Sequence, residues 1–199
     1  DNILKPFDFY ALKQNGNLYK IKPYEYPRRQ PADGMKLIPY LASKYNDRTE
    51  WEARRDTLRK EVRSLLGIDP LLAKCSNEKP LVSKLKKYDG YSVQNFCMKT
   101  VNGHTVKGSI YAPLSKGKHP LIVCPNGHFL NGRYGKVQQQ RLATLARMGA
   151  ICVDYDLWGW GESEDEVGAK AHQTAEAQQM QALNGIRILD WMIKRKDVD

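Results

Sequence analysis

The side chains that could serve acid–base or metal chemistry are few and lie far apart in the sequence. The histidines stand at positions 104, 119, 128 and 172, and the cysteines at 75, 97, 124 and 152. Metal sites commonly draw His and Cys ligands at short spacings such as Cys-x-x-Cys, and no such pair is present. We therefore expect neither a metal nor a cofactor. Asp154 and Asp156 could form an acid–base pair, but no other catalytic group accompanies them, so we expect them to cap a loop.

Nucleophilic chemistry requires a serine or cysteine that a sharp strand-to-helix turn exposes, usually in the pattern Gly-x-Ser-x-Gly. The chain lacks this pattern. The nearest match, Gly161-Glu162-Ser163-Glu164-Asp165, has no second glycine. We therefore predict that these 199 residues contain no activated nucleophile.

The composition is ordinary for a globular protein and excludes several classes of function. Apolar residues make up 41% of the chain and charged residues 27%. No apolar stretch approaches the roughly 20 residues of a membrane span. Residues 1–118 carry the positive charge, with 23 basic and 12 acidic residues (net +11) against a net charge of +10 for the whole chain. These basic residues are scattered and no nucleic-acid-binding motif accompanies them, so we expect no nucleic-acid partner.

The elements that must position these residues change character along the chain. Residues 1–46 hold five of the ten prolines and predict an extended N-terminal arm. Residues 47–87 predict a helix, which starts at Asp47 and ends at Gly67, and then a connecting loop. Residues 88–199 predict the core.

Local signals in residues 88–199 predict a hairpin and two buried strands. Asn102-Gly103 lies between the β-rich runs 91–98 and 105–111, which is a strong hairpin signal. The short apolar runs 121–124 and 150–153 are typical of strands that are buried on both faces of a parallel sheet. Cys124 and Cys152 should be buried in these runs, and a bridge between Cys75 and Cys97 is an open alternative in an exported protein.

Amphipathic patterns predict one helix over about 136–148 and a long helix over 172–195. A hairpin followed by strand–helix–strand–helix indicates an α/β fold with a parallel sheet.

Five segments, taken in chain order, resemble the α/β-hydrolase superfamily and more narrowly its bacterial acetyl xylan esterase-like branch. They are the helix 51–67, the strand pair 88–91 and 108–113, Cys-Pro-Asn-Gly-His at 124–128, an Asp-x-x-Gly-x-Gly-x-Ser segment within 154–163, and the helix 182–199. The resemblance implies that residues 88–199 form an incomplete α/β-hydrolase core. The chain would be the N-terminal portion of such an enzyme, ending about ten residues before the nucleophile elbow.

The resemblance also implies roles for individual residues. In the family, the backbone N–H of the residue after the loop glycine faces the developing oxyanion, and in this chain that residue is His128. The nucleophile, the base and the acid would all lie beyond residue 199. Side chains near the loop that could contact a substrate are Phe129, Asn131, Arg133, Trp158 and Trp160.

The implied function is the N-terminal portion of a serine-type hydrolase, most simply an esterase that acts on acetylated xylan or another acylated polysaccharide. Two alternatives stay open: a prolyl-oligopeptidase-type peptidase, and a truncated, non-catalytic module that binds a polysaccharide or a partner. A polysaccharide esterase would be periplasmic or secreted. Because the sheet would otherwise expose an unpaired edge, we expect a homo-oligomer or pairing with the remainder of the parent chain.

Overall fold

The computed structural model describes residues 31–129 and 131–199. The chain divides into two compact units, Asp1–Leu58 and Arg59–Asp199. The candidate site lies in the second unit.

The first unit contains a helix where an extended arm was predicted. Helix α1 spans Pro31–Ala42, so the prediction for residues 1–46 is wrong over this range, and residues 1–30 lie outside the described residues. Pro31 fits the first helical position because the missing N–H would have no partner there, and Asp33 favours the first turn. Reading every proline as a helix breaker therefore gave the wrong result.

The predicted helix start at Asp47 is confirmed. Helix α2 spans Arg48–Leu65, and the Glu50 N–H donates to Asp47 Oδ1 (2.9 Å). The Asn46 N–H donates in turn to Glu50 Oε2 (2.7 Å), so the Glu50 side chain also fixes the backbone just before the helix.

The predicted connecting loop over 68–87 contains regular structure. Helix α3 spans Ile68–Lys74, and two short strands follow, β1 (Leu81–Val82) and β2 (Lys86–Tyr88). Pro70 is tolerated because it lies in the first turn of α3, and Ile68 anchors the helix because it is buried. Both strands are exposed along their length, so neither carries the alternation of apolar and polar residues that predicts a strand.

The predicted hairpin is confirmed. Strands β3 (Tyr91–Lys99) and β4 (Thr105–Pro113) pair antiparallel around a turn in which Asn102 and Gly103 both have positive φ (55° and 79°). This is the backbone that Asn-Gly adopts readily.

The two apolar runs form adjacent parallel strands, as predicted. They are β5 (Leu121–Pro125) and β6 (Ile151–Tyr155), and both Cys124 and Cys152 are buried. Strand β6 also pairs antiparallel with β4, so the sheet order is β1-β3-β4-β6-β5, with β2 beside β3.

Helices cover the two faces of this sheet. Helix α4 (Lys136–Arg147) packs Leu142 and Ala146 against one face, on Tyr111 and Cys152. A short helix, α5 (Glu164–Val167), precedes α6 (Ala175–Met192), which covers the other face. The sheet thus lies between two helical layers, as expected of an α/β fold.

The backbone after α6 begins to pair beside β5. The His119 N–H donates to Asp197 O (2.9 Å), the Asp199 N–H donates to His119 O (3.0 Å), and Val198 forms a parallel bridge with His119. Among the described residues, no helix is both long enough and apolar enough to cross a membrane.

Candidate active site

The site lies where the parallel strands β5 and β6 end, at Pro125 and Tyr155. We call residues 126–135 the β5 loop and residues 156–174 the β6 loop. The carboxyl ends of parallel strands meet at one edge of a sheet, where open α/β folds bind their ligands. The two loops begin together, because Asn126 Nδ2 donates to the carbonyl oxygen of Tyr155 (3.3 Å).

Two histidines join the loops side chain to side chain. His128 Nε2 lies 2.5 Å from His172 Nε2, and His172 Nδ1 lies 2.7 Å from the carbonyl oxygen of Trp158. A carbonyl only accepts, so His172 Nδ1 carries the proton and donates. In neutral His172 the Nε2 atom is then an acceptor, and His128 donates to it.

A second contact joins the loops through the backbone. Trp160 Nε1 donates to the carbonyl oxygen of Phe129 (3.0 Å), while the Phe129 N–H closes a tight turn on Gly127 O (2.9 Å). His128 is the central residue of that turn. Within residues 31–129 and 131–199, no acceptor receives the His128 N–H. The His128 N–H is therefore unpaired within the described part of the chain.

The indole ring of Trp160 packs against both histidines. The Trp160 ring lies edge-to-face against His128 (centroids 5.5 Å apart) and tilted against His172 (5.6 Å). Trp160 stays half-buried, and Phe129 and Asn131 are exposed, so these three predicted substrate contacts remain predictions. Asn131 has a positive φ of 68°, a conformation that asparagine tolerates.

Trp158 cannot contact a substrate in the predicted way. Its side chain is buried among Ile68, Met180 and Leu183, and its ring lies edge-on to His104. The two tryptophans of the Trp-Gly-Trp segment thus differ in environment: Trp158 packs in the core and Trp160 borders the site.

Arg133 is committed to the protein rather than to a ligand. It is 2% exposed, forms ion pairs with Asp156 and Glu162, and donates to Ser109 Oγ (3.2 Å) and to Tyr134 Oη (2.6 Å). The prediction that it binds substrate is wrong, because these partners occupy the guanidinium. Burial raises the pKa of Glu162, but the hydrogen bond and charge of Arg133 outweigh that effect and hold the pKa below its usual value.

The two aspartates do not form an acid–base pair. Asp156 caps the β6 loop as expected, because its Oδ2 accepts the Glu162 N–H (3.2 Å) as well as the Arg133 guanidinium. Asp154 instead lies within β6, fully buried, and neither of its carboxylate oxygens has a hydrogen-bond partner among the described residues. Burial raises the pKa of Asp154 to about 7, although the nearby backbone N–H of Tyr155 and the charges of Arg141 and Arg133 partly oppose it.

No family model matches the chain, and no curated protein matches it. Among solved structures, Methylesterase BT1017 is 59% identical over 89% of this chain, with a TM-score of 0.83. The chain has the α/β-hydrolase fold. It spans about 40% of the length of that methylesterase.

Two further hydrolases share the fold at low identity. A Bacteroides fragilis protein described as an acetyl xylan esterase has a TM-score of 0.60 at 14% identity, over 75% of this chain and 45% of its own. Acetyl Xylan Esterase 1 from a Thermoanaerobacterium species has a TM-score of 0.50 at 16% identity, over 66% and 45%. At this identity the two neighbours bear out the α/β-hydrolase fold that the resemblance implies.

His172 is the residue of this candidate site that sequence reasoning missed. It lies 44 positions after His128, and no spacing rule connects two residues so far apart. Only the crossover from β5 through α4 to β6 brings their loops together.

The cysteines form no disulfide, and the described residues contain no metal-binding cluster. The four cysteines are free, so the bridge that was considered between Cys75 and Cys97 does not form. In the described part of the chain, no group of three or more His, Cys, Asp or Glu residues is placed to hold a metal.

Proposed function

We propose that this chain is the oxyanion-loop portion of a serine-type carbohydrate esterase, with the backbone N–H of His128 as an oxyanion donor. The observation that carries the proposal is this N–H, which has no acceptor among the described residues. It lies in a loop that two side-chain hydrogen bonds hold at the carboxyl edge of the sheet. The identity of 59% to a methylesterase supports it.

The proposed chemistry is acyl transfer. A serine attacks the ester carbonyl carbon as a base takes its proton, and the carbonyl oxygen becomes an oxyanion that the His128 N–H stabilises. The carbon–oxygen bond to the alcohol then breaks, the alcohol leaves with a proton from the base, and water hydrolyses the acyl-enzyme. One such donor is worth about 3 kcal/mol in the transition state.

The serine, the base and the acid are proposed to lie in the segment that follows Asp199. Residues 197–199 pair in parallel with His119, just before β5, at the end of that strand opposite the oxyanion loop. A strand continuing in that direction would end at the same edge of the sheet as the β5 loop. A serine on the turn after it would therefore face the His128 N–H.

For the substrate, we propose a methyl ester of a sugar carboxyl group, so that methanol is the leaving alcohol. The methylesterase is 59% identical to this chain, whereas the two acetyl xylan esterases are 14% and 16% identical and support only the fold. An acetylated polysaccharide is the second candidate, in keeping with the sequence analysis.

Two substrates separate these possibilities. The full-length protein is incubated with a methyl-esterified uronic-acid polysaccharide and with acetylated xylan, and released methanol and acetate are measured. Methanol release alone supports the proposal, acetate release alone supports the second candidate, and release of neither contradicts an esterase.

A polysaccharide substrate places the enzyme outside the cytoplasm, and we propose that it is periplasmic or secreted. Cell fractionation followed by immunoblotting tests this, and a signal confined to the cytoplasm contradicts it.

A further inference from the structure

We propose that His172 is a positioning residue for the oxyanion loop: its imidazole holds His128 so that the backbone N–H of His128 faces the ester carbonyl oxygen. This inference rests on the proposed function and adds to it a residue from a distant part of the chain.

The first step concerns the orientation of His172. Its ring is fixed from behind, because Nδ1 donates to the Trp158 carbonyl oxygen at 2.7 Å. The opposite nitrogen, Nε2, therefore points away from that carbonyl, and it meets His128 Nε2 at 2.5 Å. A hydrogen-bond partner at one ring nitrogen sets the role of the other nitrogen, as it does for histidines at catalytic sites.

The second step concerns the backbone segment that carries His172. Gly159 has a φ of 67°, and a Cβ on it would lie 2.6 Å from the His172 backbone nitrogen and 3.0 Å from the Gly168 carbonyl oxygen. Only glycine permits this approach. The first Gly of the Asp-x-x-Gly-x-Gly-x-Ser segment thus allows residues 168–172 to pack onto the loop and brings the imidazole to His128.

The third step links a side-chain contact to a backbone donor. His128 is the central residue of the tight turn that Phe129 closes on Gly127, so a bond that holds its side chain also restricts its φ and ψ. Trp160 holds the next carbonyl, at Phe129. An oxyanion donor must lie about 2.7–3.1 Å from the oxyanion, and a displacement of about 1 Å can cost on the order of 100-fold in rate. Holding the turn from both sides meets that requirement.

The test uses the full-length protein with His172→Ala, His128→Ala and the double variant. Because only the backbone of His128 is proposed to bind the oxyanion, each single variant should lower kcat for ester hydrolysis by about 10- to 100-fold with KM changed less than twofold. The double variant should be no worse than the poorer single variant, since both remove one contact. Additive losses would overturn the inference.

His172→Gln and His104→Ala are the matched variants. The Gln amide oxygen can still accept from His128 Nε2, so His172→Gln should recover part of the lost kcat. His104 bonds Glu166 and packs edge-on against Trp158. The His104→Ala variant tests whether removal of any histidine from this region lowers kcat. We expect it to keep the wild-type kcat.

A readout that is independent of activity separates this inference from the proposed function. The backbone N–H of Phe129, which closes the turn on the Gly127 carbonyl oxygen, should exchange at least tenfold faster in His172→Ala and at an unchanged rate in His104→Ala. Unchanged exchange in His172→Ala would overturn the inference. If the wild-type protein hydrolyses no ester while exchange is still faster in His172→Ala than in the wild type, the proposed function and the catalytic role of His172 both fail. In that case only the contact between His128 and His172 stands.

Discussion

At the scale of single residues, the buried guanidinium of Arg133 holds together three segments at the edge of the site. It joins β4, the β5 loop and the β6 loop through Ser109, Asp156 and Glu162. The side chains of Arg133 and Asp156 are each 2% exposed, so neither charge has water to replace its partner.

Replacing Arg133 with methionine should therefore destabilise the protein by about 3–5 kcal/mol, because it leaves the Asp156 carboxylate buried and uncompensated. Urea unfolding of the variant and the wild type measures the difference. Arg147→Met is the control, since Arg147 is exposed and donates to the Asp89 carbonyl from the surface; it should cost less than about 1 kcal/mol. If the Arg133→Met variant folds as stably as the wild type but loses affinity for the substrate, Arg133 binds the substrate and this account of Arg133 is wrong.

The Asp154 carboxyl should make stability depend on pH. Burial raises its folded-state pKa to about 7, against about 3.9 in an unfolded chain. The folded state thus binds more protons than the unfolded state between about pH 4 and 7, and stability from this group falls as pH rises through that window. The loss amounts to up to about 4 kcal/mol.

Asp154→Asn removes this titration while keeping the shape of the side chain. The variant should gain stability relative to the wild type as pH rises from 5 to 7, with little further gain up to pH 8. Urea unfolding at each pH gives the difference. A difference that stays constant across this range would contradict a buried carboxyl with a raised pKa.

At the scale of elements, close approach of strands within the sheet depends on Gly108. A Cβ there would collide with the Phe96 ring and with the Asp154 carbonyl oxygen of the neighbouring strand β6. Gly108→Ala should cost at least about 2 kcal/mol in urea unfolding, because a backbone atom cannot give way cheaply. Gly34→Ala, in α1, has free space around the new methyl group and should cause no loss. Equal effects of the two changes would contradict the packing described for β4.

The sequence predicted those elements whose signals are local. An Asn-Gly turn between β-rich runs and two short apolar runs are enough to fix the hairpin and the parallel pair. Strands β1 and β2 escaped prediction because they are short, exposed edge strands without an apolar pattern. Helix α1 escaped prediction because Pro31, at its first position, and Pro39, inside it, were both taken as evidence against a helix.

The candidate site was predictable only to the level of its loop. The glycine after a buried strand located His128. The ion-pair partners of Arg133, however, lie 23 and 29 residues away, and the imidazole that contacts His128 lies 44 residues away. Trp158 and Trp160 look alike in sequence, and only packing against α6 separates the buried ring from the half-exposed one.

At the scale of the whole molecule, the chain holds one half of a catalytic apparatus under the proposed function. It contains the oxyanion loop and the strands that position it, and it spans about 40% of the length of the methylesterase that it resembles. The nucleophile should then come from the segment that follows the pairing of Val198 with His119.

Labelling with a serine-directed phosphonate tests this division most directly. The full-length protein and the isolated chain of residues 1–199 are each treated with the reagent, digested, and mapped by mass spectrometry, with ester turnover measured in parallel. The proposed function predicts one phosphonylated serine beyond residue 199, loss of turnover in step with its labelling, and neither label nor turnover above a boiled control in the isolated chain. Labelling of Ser163, with turnover by the isolated chain that Ser163→Ala abolishes, would contradict it.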